Sequence, residues 1–513
     1  PRGVFNFAGG QTSMPGAVNG SANAFAAFLL DLPNQVGRDL YVEFPTVRQS
    51  WYSFFGEDKW QISRKLTLDI GLRYENWPAA TSRYNGQFVN YNPQNNSLLV
   101  GGYGNIPKNL GIDGDPLGFA PRLGLSYRAN NKTVVRAAYG ISYLFRDTSQ
   151  YNFPSNQVSE LDAPNAYAPA GSMKVGFPAP ILLTIPSNGI IASAPLKLNY
   201  AVMPQDLVHG YVNFWNVAIQ RQLPYGFTFE VAYVGNHGVD DPVILQLNRG
   251  LILGAGSAGQ PLNQAFGRTA NTSTIIGVST SYNALQSKLN RRFSNGFLLT
   301  TSYTYSKSID FCSDRLCTPF NQYDFARDRA PSDFNHTQVF VQSFVYEVPF
   351  GKGKPWLKSG ALGWILGGWQ LNGIFTAQTG APVNLTYSAA SLNTPGINNS
   401  PNVNGPITIL GNVNAGSTWF DTSVFSAPAP NKFGNLGRNR VTGPGLVNLD
   451  FSLFRKFLIK EWATLEFRAE TLNLTNTPHF NNPGGTFGTS TFGAITSAVN
   501  DSRTVQLGAK LFF

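Results

Sequence analysis

Across residues 65–75 the side chains alternate without a break. Leu66, Leu68, Ile70, Leu72 and Tyr74 share one parity; Lys65, Thr67, Asp69, Arg73 and Glu75 share the other. Successive side chains of an extended chain point to opposite faces, so this segment predicts a strand with one apolar and one charged face. The same split sets Val135, Ala137, Tyr139, Ile141, Tyr143 and Phe145 against Arg136, Ser142 and Arg146. It recurs in Phe227, Phe229, Val231 and Tyr233 against Thr228 and Glu230, and in Ala463, Leu465, Phe467 and Ala469 against Thr464, Glu466, Arg468 and Glu470. Thirteen strands follow, at 48–62, 65–77, 118–128, 132–146, 210–223, 225–236, 281–293, 296–308, 333–349, 364–380, 445–457, 460–474 and 502–513.

The connections carry a second periodicity. Tight links (63–64, 129–131, 224, 294–295 and 458–459) alternate with long ones rich in Gly, Pro, Asn and Ser, at 78–117, 147–209, 237–280, 309–332, 381–444 and 475–501. One link on the short side, 350–363, is longer but keeps the order. Many of the strands reach or pass the ~9–11 residues that cross a bilayer at a tilt. Short turns at one end and long loops at the other are the pattern of outer-membrane barrels. The expected fold is therefore all-β, a transmembrane antiparallel up-and-down β-barrel ending on the periplasmic side. Residues 1–47 read as an extracellular loop and short-helix segment preceding the barrel strands of 48–513. Aromatics near strand ends, among them Trp51, Trp60, Trp77, Trp215, Trp369 and Trp462, suit the two membrane–water interfaces.

Composition narrows the choice. Charged residues are 13% of the chain and aromatics also 13%. The longest apolar run, residues 22–32, contains Asn23 and Asp31 and falls short of the ~18 residues a membrane helix needs. A membrane address thus requires a closed barrel. The net charge of +10 is dispersed singly along alternating strands, with no basic run or nucleic-acid motif, so no nucleic-acid partner is expected. The chain starts at Pro1 with no export signal, which reads as truncation of a longer protein.

The final segment places Val505, Leu507, Ala509, Leu511 and Phe513 on one face. It resembles the C-terminal signal by which outer-membrane proteins are recognised for insertion, with Phe513 as its terminal aromatic and the barrel-assembly machinery as the implied partner. Further segments resemble the TonB-dependent receptor family, specifically its Oar-like subgroup. These are FFGEDKWQI at 54–62, LTLDIGLRYE at 66–75, FAPRLGLSY at 119–127, YVGNHG at 233–238, YNALQ at 282–286, YSKSID at 305–310, PFGKG at 349–353, FRAETLNLTN at 467–476 and PHF at 478–480. The resemblance implies a barrel of about 22 strands, of which about 13 are present here. It also implies a plug, a TonB box and sometimes a carboxypeptidase-regulatory-like domain upstream, with the TonB complex, membrane lipid and an extracellular solute as partners. The implied activity is energised transport across the outer membrane of a Gram-negative bacterium. An adhesin or surface-display barrel without TonB coupling is the alternative, and a soluble β-sandwich enzyme or lectin a third.

Catalytic chemistry finds little support. His209, His237, His336 and His479 lack ligand spacing, and residues 351–354 (GKGK) lack the frame of a phosphate loop. Asp113-Gly114-Asp115 reads as a loop turn rather than a calcium site, for want of further ligands. No cofactor, metal or catalytic residue is expected. Cys312 and Cys317, the only cysteines, fit a local disulfide in an oxidising compartment, with two free thiols as the alternative. Around them lie Asp310, Asp314, Arg315, Asp324, Arg327, Asp328, Arg329 and Asp333. This cluster either ties the loop by ion pairs or offers contacts to a ligand at the extracellular mouth, chiefly through Asp314, Arg315, Asp324, Arg327, Asp328 and Arg329. Arg73, Arg122, Arg136, Glu230, Lys288, Arg292, Asp450, Glu466, Arg468 and Glu470 form the expected lumen-lining set, of mixed sign.

Overall fold

The computed structural model describes residues 3–13, 21–41, 46–112, 118–144, 156–163, 167–178, 184–196, 198–206, 209–414, 416–460, 462–499 and 502–513. Thirteen strands form one meandering sheet, each beside its neighbour in sequence. They are β1 (Tyr52–Gln61), β2 (Leu66–Asn76), β3 (Phe119–Asn130), β4 (Thr133–Tyr143), β5 (Tyr211–Gln222), β6 (Phe227–Gln246), β7 (Thr272–Ser294), β8 (Phe297–Asp310), β9 (Gln338–Glu347), β10 (Trp369–Gln378), β11 (Leu446–Lys460), β12 (Ala463–Leu472) and β13 (Thr504–Phe512). Every successive pair is antiparallel. Among the described residues β1 and β13 are the sheet's two open edges.

Hydrogen-bond register carries the sequence alternation across strands. One row runs Leu68, Leu125, Ala137, Val217, Tyr233, Leu285, Tyr305. Another runs Tyr346, Leu371, Leu453, Ala469, Leu507. The opposite face carries rows such as Gln220, Glu230, Lys288, Ser302. The apolar face stands open: Leu72 is 50% exposed, Val217 49% and Leu507 69%. In water each such side chain, exposed by about half or more, forgoes roughly 1–2 kcal/mol of burial. A continuous face of this kind calls for hydrocarbon around it. Among the described residues no helix is long and apolar enough to cross a membrane.

The buried core lies instead in the long connections. Val89, Tyr91, Leu98, Val100, Ile191 and Tyr200 form one cluster, and Ala80, Phe88, Leu110, Ile112 and Met203 another beside it. Val383, Leu385, Phe420, Phe425, Val441 and Phe492 form a third, joining the connections after β10 and after β12. Residues 1–47 contain a helix, Ser21–Leu29, and a strand, Gln35–Tyr41, that pairs with Asn156–Asp162 of the β4–β5 connection.

The structure departs from the sequence pattern at several strand ends; the predicted turn at 458–459, for instance, lies inside β11, which runs to Lys460. Strands β6 and β7 run 20 and 23 residues, well past the predicted ends at 236 and 281. The motif Gly235-Asn236-His237-Gly238 and the proline at 242 read as breakers. Here a bulge between Gly238 and Asp241 absorbs the irregularity and pairing resumes, with Pro242 opposite Gly277. Residues 364–368 are not strand. Gly360–Leu366 is helical, and β10 starts at Trp369; likewise β9 starts at Gln338 rather than 333. The β7–β8 turn is as expected from its Asn295-Gly296 pair, both at positive φ (50° and 76°), which an Asn-Gly hairpin adopts cheaply.

Candidate functional site

All ten residues expected to line the lumen share the polar face. Register places Arg73 and Arg122 across from Ala120 and Gly71, Arg136 opposite Ser126 and Ala218, and Glu230 opposite Lys288. Arg292 keeps the parity of Lys288, while Asp450, Glu466, Arg468 and Glu470 lie on the same face of β11 and β12. Arg136 reaches past the small Ala218 of β5 to Glu230, 3.6 Å away. Glu466 holds both Arg468 and Lys456, the latter at 3.5 Å. The two-signed face is thus partly self-neutralised. Glu57 and Lys59 of β1, opposite Gly71 and Asp69, belong to it too, and so do Lys456 and Lys510. The sequence reading passed over them, although the parity of β1 carried the signal. A hollow of about 510 Å³ near the β13 edge is lined mostly by apolar groups, Leu298, Val345, Ile374 and Leu472 among them, with Asn372, Asp450 and Glu470 beside them.

Above this face the connection after β8 folds into a braced unit. Cys312 and Cys317 are disulfide-bonded, with Cα atoms 6.0 Å apart. The Ile244 amide, on the extension of β6, donates to the Cys317 carbonyl at 2.9 Å. The loop's ion pairs are made with a residue from outside the predicted cluster. Arg438, from the connection after β10, inserts its guanidinium between Asp310 and Asp333, reaching Asp333 Oδ1 at 3.0 Å. It also donates to the Asp328 and Asp310 carbonyl oxygens at 3.0 and 3.1 Å. Arg438 and Asp310 are both buried. No sequence signal marked Arg438: one of two arginines in a Gly- and Asn-rich stretch, it looks like any solvated loop residue.

The six residues expected to offer mouth contacts separate. Asp314 and Arg315 are exposed and line a cleft of about 620 Å³, together with Asn236, Asp241, Tyr282 and Ser308. Asp324 caps the short helix Phe325–Asp328, accepting from the Ala326 amide at 3.1 Å. Arg327 is half-buried and Arg329 exposed. Asp328 is only 1% exposed and accepts from the Asn321 amide at 2.7 Å, so it serves the loop rather than its surface. Burial pushes its carboxyl up to about 6, against the Asn321 hydrogen bond and the Arg438 charge, which pull the other way.

A second buried cation organises the neighbouring connections. Arg268 is fully buried, 4.9 and 4.7 Å from the rings of Tyr91 and Tyr200, which stack on each other. Its guanidinium donates to Thr272 Oγ1 at 3.1 Å and to the Pro195 carbonyl at 2.8 Å. Burial raises the Tyr200 hydroxyl to about 12. Of the histidines, His209 is buried against Trp77, and His336 and His479 bond the Thr379 and Val447 carbonyls. Among the described residues no three potential metal-binding side chains come together. Residues 113–115, read from sequence as a turn, lie outside the described residues.

Comparison with curated protein sequences returns no match. Solved structures similar to the chain include the pyoverdine outer membrane receptor FpvA from Pseudomonas aeruginosa PAO1, at 11% identity and a TM-score of 0.46, over 92% of this chain and 43% of that one. The siderophore receptor PirA from Acinetobacter baumannii matches at 10% identity and a TM-score of 0.43, over 90% and 46%. The ferric-catecholate import receptor Fiu from Escherichia coli K12 matches at 12% and 0.41, over 93% and 45%. The chain therefore spans less than half of each receptor's length, and likeness this distant transfers neither ligand nor partner. The family described as outer membrane beta barrel domain matches residues 1–506. With its outward apolar face, polar opposite face and long-loop mouth, the chain belongs to that family and is a β-barrel protein of the Gram-negative outer membrane.

Proposed function

We propose that the chain is the C-terminal part of the barrel of a TonB-dependent transporter of the Oar-like subgroup, with a plug and TonB box in the longer protein. The observation that carries this reading is the polar face of mixed sign lying beneath a mouth cleft, a water-compatible route with a place for a solute at its outer end. The ten charged residues of that face would line the lumen, and Asp314, Arg315, Asp324, Arg327 and Arg329 would meet solute at the mouth. Residues 1–47 would sit on the extracellular side. Phe513, at 94% exposure, would present the insertion signal to the assembly machinery.

The test is uptake by cells expressing the full-length protein, with and without TonB. A panel of labelled ferric siderophores, cobalamin and oligosaccharides serves as probe. TonB-dependent accumulation of one class, reduced in Asp314→Asn/Arg315→Gln, is expected; no TonB-dependent accumulation of any class refutes the reading. The alternative is a surface-display barrel, favoured by the separate hydrophobic core of the connections after β10 and β12. It predicts attachment to cells or matrix that survives loss of TonB.

A further inference from the structure

The β9–β10 connection is the long exception among the links at the short-turn end, and it contains the helix Gly360–Leu366. This helix is folded back onto the apolar side of the sheet. Arg455 of β11 has Trp369 and Phe467 as register partners, which places it on the apolar face. Its guanidinium donates to the carbonyl oxygens of Ile365, at 3.0 Å, and of Trp364. The rings of Phe457, Trp364 and Trp369 surround it at 4.3–5.2 Å, and it is 8% exposed. A cation facing hydrocarbon is thereby paired with the negative end of a helix, whose last carbonyls lack partners of their own. Trp369 Nε1 donates to the same Ile365 carbonyl at 2.9 Å. The connection is also tightly folded on itself, with no room for a side chain at two of its glycines. A Cβ on Gly363 would lie 2.2 Å from the Leu357 oxygen, and one on Gly367 2.4 Å from the Gly363 oxygen.

What the helix turns outward is apolar: Leu362, Trp364, Ile365 and Leu366 are 44–68% exposed, and Trp356 beside them 61%. Through Phe457 and Trp369 this surface continues into the apolar face of β10–β12. Lys352 and Lys358 flank it, both exposed, while Lys354 is held by Glu347 at 2.5 Å. Short turns mark the periplasmic end. Aromatic and aliphatic side chains at the boundary with lysines beside them are the makings of an interfacial lipid contact.

We propose that residues 350–366 form a binding site for an anionic phospholipid of the periplasmic leaflet. Its acyl chains lie over Leu362, Trp364, Ile365 and Leu366, and its phosphate meets Lys352 and Lys358. Lipid is the occupant because the site is an extension of a face that lipid already covers.

The test reconstitutes the full-length protein, and its variants, into nanodiscs containing brominated phosphatidylglycerol or brominated phosphatidylcholine, and measures tryptophan quenching. Quenching by the phosphatidylglycerol should exceed that by the phosphatidylcholine and should fall in Trp364→Phe. In Lys352→Gln/Lys358→Gln the preference should shrink by about five-fold for each lysine. These lysines are exposed, so heat-modifiable migration, the sign of a folded barrel, should be retained. Equal quenching by the two lipids in the native protein overturns the proposal. So does a Trp364→Phe variant quenched like the parent, or a co-purifying protein that shields Trp364 in place of lipid.

Discussion

Replacing Arg438 by Met tests how the mouth is held together. The guanidinium is the one buried cation beside Asp310 among the described residues, and it bridges to Asp333 and to two backbone carbonyls. Removing it strands the Asp310 carboxylate at 5% exposure. Breaking a buried pair from one side costs about 3–5 kcal/mol, mostly through the charge left behind. The loss is local, because among the described residues the side-chain hydrogen bonds of Arg438 go to the connection after β8 and to Asp310 at the end of β8. At 1.4 kcal/mol per decade, amide exchange across residues 310–333 should speed up by about two to three and a half orders of magnitude. Exchange in the interiors of β2–β5 should not change. Asp310→Asn in the same background should recover part of the loss, with a coupling of about 1–3 kcal/mol. Unaltered exchange at 310–333 would refute the bracing argument; simple additivity of the two substitutions would refute the pairing.

Other outcomes follow from the same region and its neighbour. Asp328 has a folded-state carboxyl raised from 3.8 to about 6, so its protonated form is the one the fold prefers. The mouth should therefore gain about 2–3 kcal/mol as pH falls from above 6 to below 4, and Asp328→Asn should abolish the dependence; hydroxyl-radical footprinting of Tyr323 and Phe325 at pH 4 and pH 7.5 checks this. Cys312→Ser/Cys317→Ser opens a short loop and should cost about 2 kcal/mol locally, read as faster proteolysis between β8 and β9 with an unchanged heat-modifiable barrel. Arg268→Met removes the cation beside the stacked Tyr91 and Tyr200 and leaves the Pro195 carbonyl without its donor, which should cost about 1–3 kcal/mol in the connections around it, visible as new tyrosine accessibility to nitration.

The sheet was legible in the sequence because period-two alternation and turn chemistry are local signals. Leu66–Tyr74 and Asn295-Gly296 state their structure without help from distant residues. Legibility failed where local and non-local signals conflict. Residues 239–246 carry a proline and follow a glycine pair, yet they are strand because Ser273–Val278 lie opposite. Residues 364–368 look like the start of β10, but Arg455, far along the chain, favours a helix end there. At the mouth the acid–base cluster stood out, and its disulfide with it. Its actual partner, Arg438, could not be read, because ion pairs between two long connections depend on how both fold. Arg268 was invisible for the same reason.

The third hydrophobic cluster also shapes how this protein is met from outside. Phe420 and Phe425 of one connection pack edge-on with Phe492 of another. Any surface above them is composed from stretches of chain that come together only in the finished fold. An antibody, phage or toxin that recognises that surface reads a discontinuous epitope. Linear peptides copied from either connection would then fail to compete with the intact protein for it. Sequence drift in one stretch, by the same token, would be constrained by the aromatic packing it shares with the other.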